Sequence, residues 1–458
     1  MNATSTVSVR VEGGGEQVVA HVGLHALGRF GDRLGLGEEL SAAVIAGGDQ
    51  RLVGHDRGKV LTQVMLMLAG GGECCADIEY LRSQPGLFGA VPSDTTVWRS
   101  FDRLDEATLG YLWQSMAAVR AKVWDRCAAT TGSEPVVLDI DASLVEVHSE
   151  NKAGTAPNYK GGFGFHPMFC FADATGEALA GLLRPGNAGA NDLADHFSVL
   201  DDALGQLPAH IAAGHRPGDD PEAVSRAVRV RVDSAGCSTR FANGCRERNV
   251  GFSVVARSNR QIHTAISRAL DDPGRWLPAL TQAGEMKDDA TVAEVTDLVD
   301  LSAWPAGTRL IVRREPLHPG ARTSLFPDLE YRYWGHYTDN ELGDPMFLDA
   351  DMRAHAHVED HIRRLKTSGL ERFPFSGLDA NRAWMAVVCF GADLVRWFQL
   401  LALTGAWATA EPKRLRWGLW HTPARIVSLA GRHVVRILER WPTLTELLDA
   451  YRRVAALT

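Results

Sequence analysis

No Cys-x-x-Cys pair occurs among the seven cysteines, Cys74, Cys75, Cys127, Cys170, Cys237, Cys245 and Cys389. An odd count without that spacing argues against a disulfide framework or a cysteine zinc site and leaves reduced, packed thiols. A basic and apolar signal segment is missing, and no uninterrupted apolar run reaches membrane-spanning length. The nearest, Trp384 to Trp407, carries Asp393 and Arg396. The expectation is a soluble, cytoplasmic protein with no membrane partner. Net positive charge is also lacking, since 48 Lys and Arg stand against 56 Asp and Glu. That balance argues against a surface coated all over with nucleic acid but allows a local basic groove. Gly161-Gly-Phe-Gly164 matches neither the P-loop nor the dinucleotide fingerprint, so no nucleotide cofactor is indicated.

What is present is a chain of 458 residues, 45% hydrophobic, long enough for two or three structural units. Its organising stretch is Pro135 to His148. Val136, Val137, Leu138, Ile140, Leu144, Val145 and Val147 form a β-branched and aliphatic run entered through a proline, as a buried central strand begins. Asp139 and Asp141 sit inside it. Residues two apart on a strand leave the same face, so both carboxylates project together. Buried carboxylates need cations or hydrogen bonds, and a turn cap or a buried arginine satisfies that need as well as a functional site does.

The rest of the chain surrounds this strand. Met1 to about Gln17 is polar and Gly-rich, a loose lead-in. From Ala20 to Arg126 apolar residues recur at three and four, as in Val60, Val64 and Leu68 or Leu109, Leu112 and Met116. Ser93 or Asp94 caps a short helix presenting Thr95, Thr96, Trp98, Arg99 and Arg103, compatible with a helix-turn-helix or with plain packing. Beyond the acidic strand, Phe165–Ala172 and Ala178–Arg184 read as an antiparallel meander and Asn191–Leu204 as a helix. Ala209–Glu222 reads as a loop. Val228-Arg-Val-Arg-Val-Asp233 alternates strictly, placing Asp233 at a strand end, as a helix cap or a functional acid. Helix Ser238–Arg248 and strand Val250–Ala256 complete an α/β pattern that sets Asp233 beside the first strand.

From Asn259 to Asp344 strand-like segments dominate, and a mainly β inserted subdomain is the reading. Its Trp276, Trp304 and Trp334 suit either a small core or stacking on bases. In Met352 to Lys366, Val358, Ile362 and Leu365 form an apolar stripe, with Glu359 and Lys366 two turns apart beside it. Asp379 to Thr458 reads as helical, with Arg432, Arg436 and Arg440 as a basic edge that fits a DNA backbone or a solvated face. Three acids of this kind, brought together by an α/β sheet, are hard-oxygen ligands of the sort that two magnesium ions use in phosphodiester chemistry.

The run of strands with Asp141, Asp233 and then Glu359 after a β insertion resembles the DDE transposases of bacterial insertion sequences, in the cut-and-paste branch with a ribonuclease H-like core. Further stretches carry the resemblance: Leu138-Asp-Ile-Asp-Ala-Ser, Tyr159-Lys-Gly-Gly-Phe-Gly-Phe-His-Pro, Arg184-Pro-Gly-Asn-Ala, Val232-Asp-Ser-Ala-Gly, Gly369-Leu, Pro374-Phe and Asn381-Arg-Ala-Trp384. They span about His55 to Leu403 and are specific jointly, weak singly.

The resemblance implies a ribonuclease H-like mixed sheet with helices, interrupted by a mainly β insertion and flanked by helical regions. Its divisions fall at 1–130 (helical, DNA-binding), 131–260 (first part of the catalytic core), 261–345 (β insertion), 346–405 (second part, with the Glu helix) and 406–458 (helical). It implies Asp141, Asp233 and Glu359 as catalytic acids, with Asp139 as the alternative first ligand, holding two Mg²⁺ that Mn²⁺ can replace. It implies DNA contacts by Lys366, Arg363, Lys160, Arg184 and His355. The partners would be double-stranded DNA, both element ends and target, and a second copy of the chain in a homodimer on DNA, in a bacterial cytoplasm at the nucleoid. The branch also carries Tyr-x-x-Arg-x-x-x-Glu-x-x-x-x-x-x-Lys around its glutamate, and here the tyrosine position is Met352 and the arginine position His355. That departure keeps two other readings open: a metal nuclease of the same fold without strand transfer, or an inactive DNA-binding descendant.

Overall fold

The computed structural model describes residues 10, 17–49, 54–127, 135–149, 151–211, 226–317, 331–429 and 432–457. The lead-in read over residues 1–17, the loop read over 209–222 and the division near 130 fall mostly outside them. Strand β1 (Val18–Val19) precedes helices α1 (Val22–Leu34), α2 (Leu36–Ala46) and α3 (Arg57–Gly70). Gly35, at φ 73°, turns the chain from α1 straight into α2, a left-handed conformation that favours glycine. Two single turns, α4 (Glu79–Arg82) and α5 (Pro85–Phe88), lead to α6 (Asp94–Phe101) and α7 (Glu106–Trp124). Ser93 caps α6 through Thr96 N–H, as its sequence predicts, and Trp98 and Arg99 face solvent while Val97 and Phe101 are buried.

The next segment begins with β2 (Val136–Ala142), followed by β3 (Val145–Glu146), β4 (Ala156–Pro157), β5 (Phe163–Phe165), β6 (Met168–Ala172) and β7 (Glu177–Leu182). Then come α8 (Leu193–Gly205), β8 (Val228–Val232), α9 (Thr239–Glu247), β9 (Val250–Val255) and α10 (Arg260–Leu270). Four strands follow: β10 (Leu277–Leu280), β11 (Met286–Glu294), β12 (Arg309–Pro316) and β13 (Tyr331–Thr338). Helices α11 (Pro345–Arg353), α12 (His357–Leu365), α13 (Leu378–Ala402) and α14 (Pro412–Leu415) precede β14 (Ala424–Leu429), β15 (Arg432–Ile437) and α15 (Leu444–Ala456).

The main sheet runs β10-β11-β12-β13-β9-β8-β2-β6-β7, with β2, β8 and β9 parallel to one another and the other pairs antiparallel. This is the mixed α/β architecture that the sequence predicts. The expected insertion is not a separate β subdomain, however. Its β13 pairs with β9 (His336 opposite Val255), so β10 to β13 extend the core sheet edge to edge. Its tryptophans pack within the fold: Trp304 stacks on Tyr337 at 4.1 Å, and Trp276 meets Tyr333 edge-on.

Helix α13 is long and apolar enough to cross a membrane by composition, yet most of it is buried inside the fold. Its Asp393, with Glu177 on β7, is paired to Arg120 of α7 in a site with no solvent access. That cluster ties the amino-terminal helices to the core. The carboxy-terminal region departs from its all-helical reading. β14 and β15 form a hairpin that joins β1 in a three-stranded sheet, because Ile426, Val435 and Ile437 alternate onto one face and pack on the core.

Candidate active site

Two parallel strands set two acids side by side. The β2–β8 register runs from Val136 opposite Val228 to Ile140 opposite Val232, so Asp141 and Asp233 come next on each chain. Neighbouring strands lie about 4.8 Å apart. Asp141 is near the end of β2 and accepts the Ala142 N–H at 2.7 Å. Asp233 follows β8 and caps the Ser234–Gly236 turn, accepting from Ala235 N–H at 2.8 Å. Each carboxylate thus commits one oxygen to backbone. Glu359 sits exposed in the first turn of α12, whose Val358, Ile362 and Leu365 seat that helix in the core beside β2.

Electrostatics links the three. Burial pushes the Asp141 carboxyl up, the negative charges of Asp233 and Glu359 add to the rise, and its pKa reaches about 6 despite the Ala142 N–H and His355. Among the described residues, no three His, Cys, Asp or Glu side chains are already gathered closely enough to hold a metal ion. The charges of Asp233 and Glu359 therefore reach Asp141 without the three forming a closed cage, and Glu359 is exposed on its helix. Three carboxylates are the hard-oxygen donors that Mg²⁺ and Mn²⁺ take. The crowding of negative charge at Asp141 is the imbalance that a divalent cation cancels, so the residues fit such a group.

Asp139 does not fit it. It is fully buried, and Arg231 grips both of its oxygens, Nε to Oδ1 at 2.8 Å and Nη2 to Oδ2 at 2.7 Å. His355 Nδ1 adds a contact to Oδ1 at 2.7 Å. Burial alone raises the Asp139 carboxyl, but the hydrogen bonds of His355 and Arg231 hold it below the usual range. Of the readings open for the two acids, the buried-arginine partner applies to Asp139 and corrects its reading as a metal ligand.

The model of the family described as transposase DDE domain, group 1, matches residues 1–458. This chain belongs to that family. No curated protein matches the transposase. Among solved structures it is similar to the piggyBac transposase synaptic complex with hairpin DNA, determined by cryo-EM. The identity is 11% and the TM-score 0.40, over 87% of this chain and 80% of that one. A likeness that loose carries no argument about the site.

The basic residues that the sequence singles out have different fates in the transposase. Lys366 ends α12 and donates from Nζ to Leu144 O at 3.0 Å. Burial lowers its pKa, with Glu371 opposing and the nearby charge of Lys160 reinforcing the drop. Lys160 is exposed, on a loop tied by Asn158 Oδ1 to the N–H groups of Lys160 and Gly162.

Arg363 is exposed but paired with Asp360 and Glu411. Arg184 and His355 require correction as DNA contacts. Arg184 is buried and holds His166 O, Gly189 O and Asp195. His355 is spent on Asp139. Sequence reasoning missed Arg231, which also reaches Asp173 and Asp351. The available signal was an arginine alternating with valines on a buried strand.

Proposed function

We propose that this transposase binds the ends of a mobile DNA element, hydrolyses a phosphodiester bond there and joins the freed 3′ ends to target DNA, acting as a homodimer on DNA. One observation carries the reading. Asp233 and Glu359, far from Asp141 along the chain, both bear on the charge of Asp141, which with Asp233 stands at the ends of two parallel strands. Two divalent cations, Mg²⁺ or Mn²⁺ in its place, held by these three residues supply Lewis acidity at the phosphate and lower the pKa of water when bound.

The chain's own residues do the positioning. Backbone N–H groups fix Asp141 and Asp233, while the apolar stripe of α12 seats the helix that carries Glu359 beside β2. Lys366 and Lys160 hold DNA phosphates beside the acids, a role that sets register without reading sequence. Trp98 and Arg99 on α6 offer an exposed helix face to the duplex.

The test is a Mg²⁺-dependent assay on DNA bearing the element's ends, scored for nicked and for joined products. Asp233→Asn and Glu359→Gln should abolish cleavage while end binding survives. Full activity in either variant contradicts the assignment, and nicking without joining in the wild type reduces the protein to a nuclease of the same fold.

A further inference from the structure

The three-stranded sheet β1-β14-β15 lies outside the site described above, and among the described residues one of its faces is largely exposed. Register places Arg425 opposite Arg436, Val427 opposite Val434, and Leu429 opposite Arg432, so these six side chains share one face. The opposite face carries Ala424 and Ile426, which pack on the core. On the outward face Arg425, Arg432 and Arg436 are all exposed, and Val18 of β1, opposite Arg425, is exposed as well.

The three strands contain no acidic residue. Among the described residues none of the three arginines has a carboxylate within ion-pair distance, although the protein as a whole carries more acid than base. Two like charges directly opposite each other on an antiparallel pair destabilise the sheet. Arg425 and Arg436 are therefore a cost to the fold, and an anionic partner would remove it.

We propose that this arginine face is an accessory binding surface for the phosphate backbone of duplex DNA, separate from the three acids. The proposal rests on the transposase reading above and extends it. Arg432 and Arg436 stand four residues apart on one strand, about 13 Å. A duplex presents one phosphate charge per roughly 1.7 Å of axis, so a row of that length faces a dense line of charge. Between the arginines lie Val427 and Val434, whose side chains neither donate nor accept hydrogen bonds. The face therefore holds DNA without reading its bases. The helical reading of Arg432 and Arg436 as a basic edge has the wrong secondary structure and the right neighbours, because a spacing of four keeps two residues on one side of a strand.

The experiment measures affinity of the full chain for a short random-sequence duplex by fluorescence anisotropy across a range of salt. Wild type is compared with the triple variant Arg425→Ala, Arg432→Ala, Arg436→Ala and with the triple lysine variant. Because the positions are exposed and Arg425 repels Arg436, the alanine variant should melt level with wild type or slightly above it, and the lysine variant level with it. Losing three phosphate contacts should weaken binding at least about tenfold at low salt and flatten the log–log salt slope by about 2 to 3, with the lysine variant close to wild type. An unchanged slope in the alanine variant overturns the proposal, as does a loss of self-association at unchanged DNA affinity, which makes the face a contact between copies. If wild type binds no duplex of any sequence, the transposase reading fails together with this one. If the alanine variant loses random-duplex binding while Mg²⁺-dependent cleavage is absent from wild type too, only the catalytic assignment fails.

Discussion

Arg231 lies directly opposite Asp139 across the β2–β8 register and closes a two-pronged ion pair on it at 2.7 and 2.8 Å, with no solvent access to either charge centre. His355, just before α12, meets the same carboxylate. The pair therefore fastens the Glu359 helix to the strands that carry Asp141 and Asp233. Asp139 is thus committed to structure, whereas Asp141 keeps one carboxylate oxygen free of backbone contact, as the proposed metal-binding role requires.

That division of labour is measurable. Arg231→Ala leaves a buried carboxylate without its cation and should cost about 3–5 kcal/mol of stability by urea unfolding. Asp139→Asn should likewise lower stability, with DNA cleavage falling only as far as the folded fraction falls. Loss of Mg²⁺ binding in Asp139→Asn at full stability would return Asp139 to the ligand set.

A second buried cluster makes the same kind of prediction away from the chemistry. Arg120 joins Glu177 and Asp393, and the Trp124 and Trp397 indole N–H groups also donate to Glu177. Burial, with the neighbouring charge of Glu177 reinforcing it, pushes Asp393 up to about 8 even though Arg120 opposes the rise. Arg120→Met should destabilise the chain by about 3–5 kcal/mol, read as a shift in the urea midpoint. A change under about 0.5 kcal/mol, the range of an ordinary surface substitution, would show that the cluster does not tie α7 to the core.

His336 supplies a pH dependence with a definite sign. It is buried in β13, neither ring nitrogen has a hydrogen-bond partner among the described residues, and burial lowers its pKa to about 3. The unfolded chain takes up this proton near 6.5 and the folded chain only near 3, so unfolding gains protons in that window. Stability from this group is complete above about 6.5 and is lost as pH falls toward 3, by about 5 kcal/mol in all. His336→Leu should flatten the decline in melting temperature between pH 7 and pH 4. An unchanged decline assigns it to other groups.

The placement of the three candidate acids on their elements was legible because it is local. Asp141 and Asp233 each stand near the end of a short β-branched run, and Glu359 sits beside a stripe at helical spacing, signals that a few residues carry by themselves. What escaped is long-range. No periodicity tells that β13 will pair with β9, which turns an expected insertion into an extension of the core sheet. Nor does any spacing reveal that Arg231 will stand opposite Asp139, the pairing that decides between the two acids. The carboxy-terminal hairpin was missed for a different reason: arginines four apart suit a helix edge and a strand face equally well.

The central claim is that Asp141, Asp233 and Glu359 jointly hold divalent metal, and it is tested most directly by titrating Mn²⁺ into the full chain by calorimetry, for wild type, Asp141→Asn, Asp233→Asn and Glu359→Gln. Wild type should bind, and each substitution should weaken binding by tenfold or more while the melting temperature without metal stays level or rises, most of all for Asp141→Asn. Mn²⁺ affinity equal to wild type in any of the three variants would contradict the account.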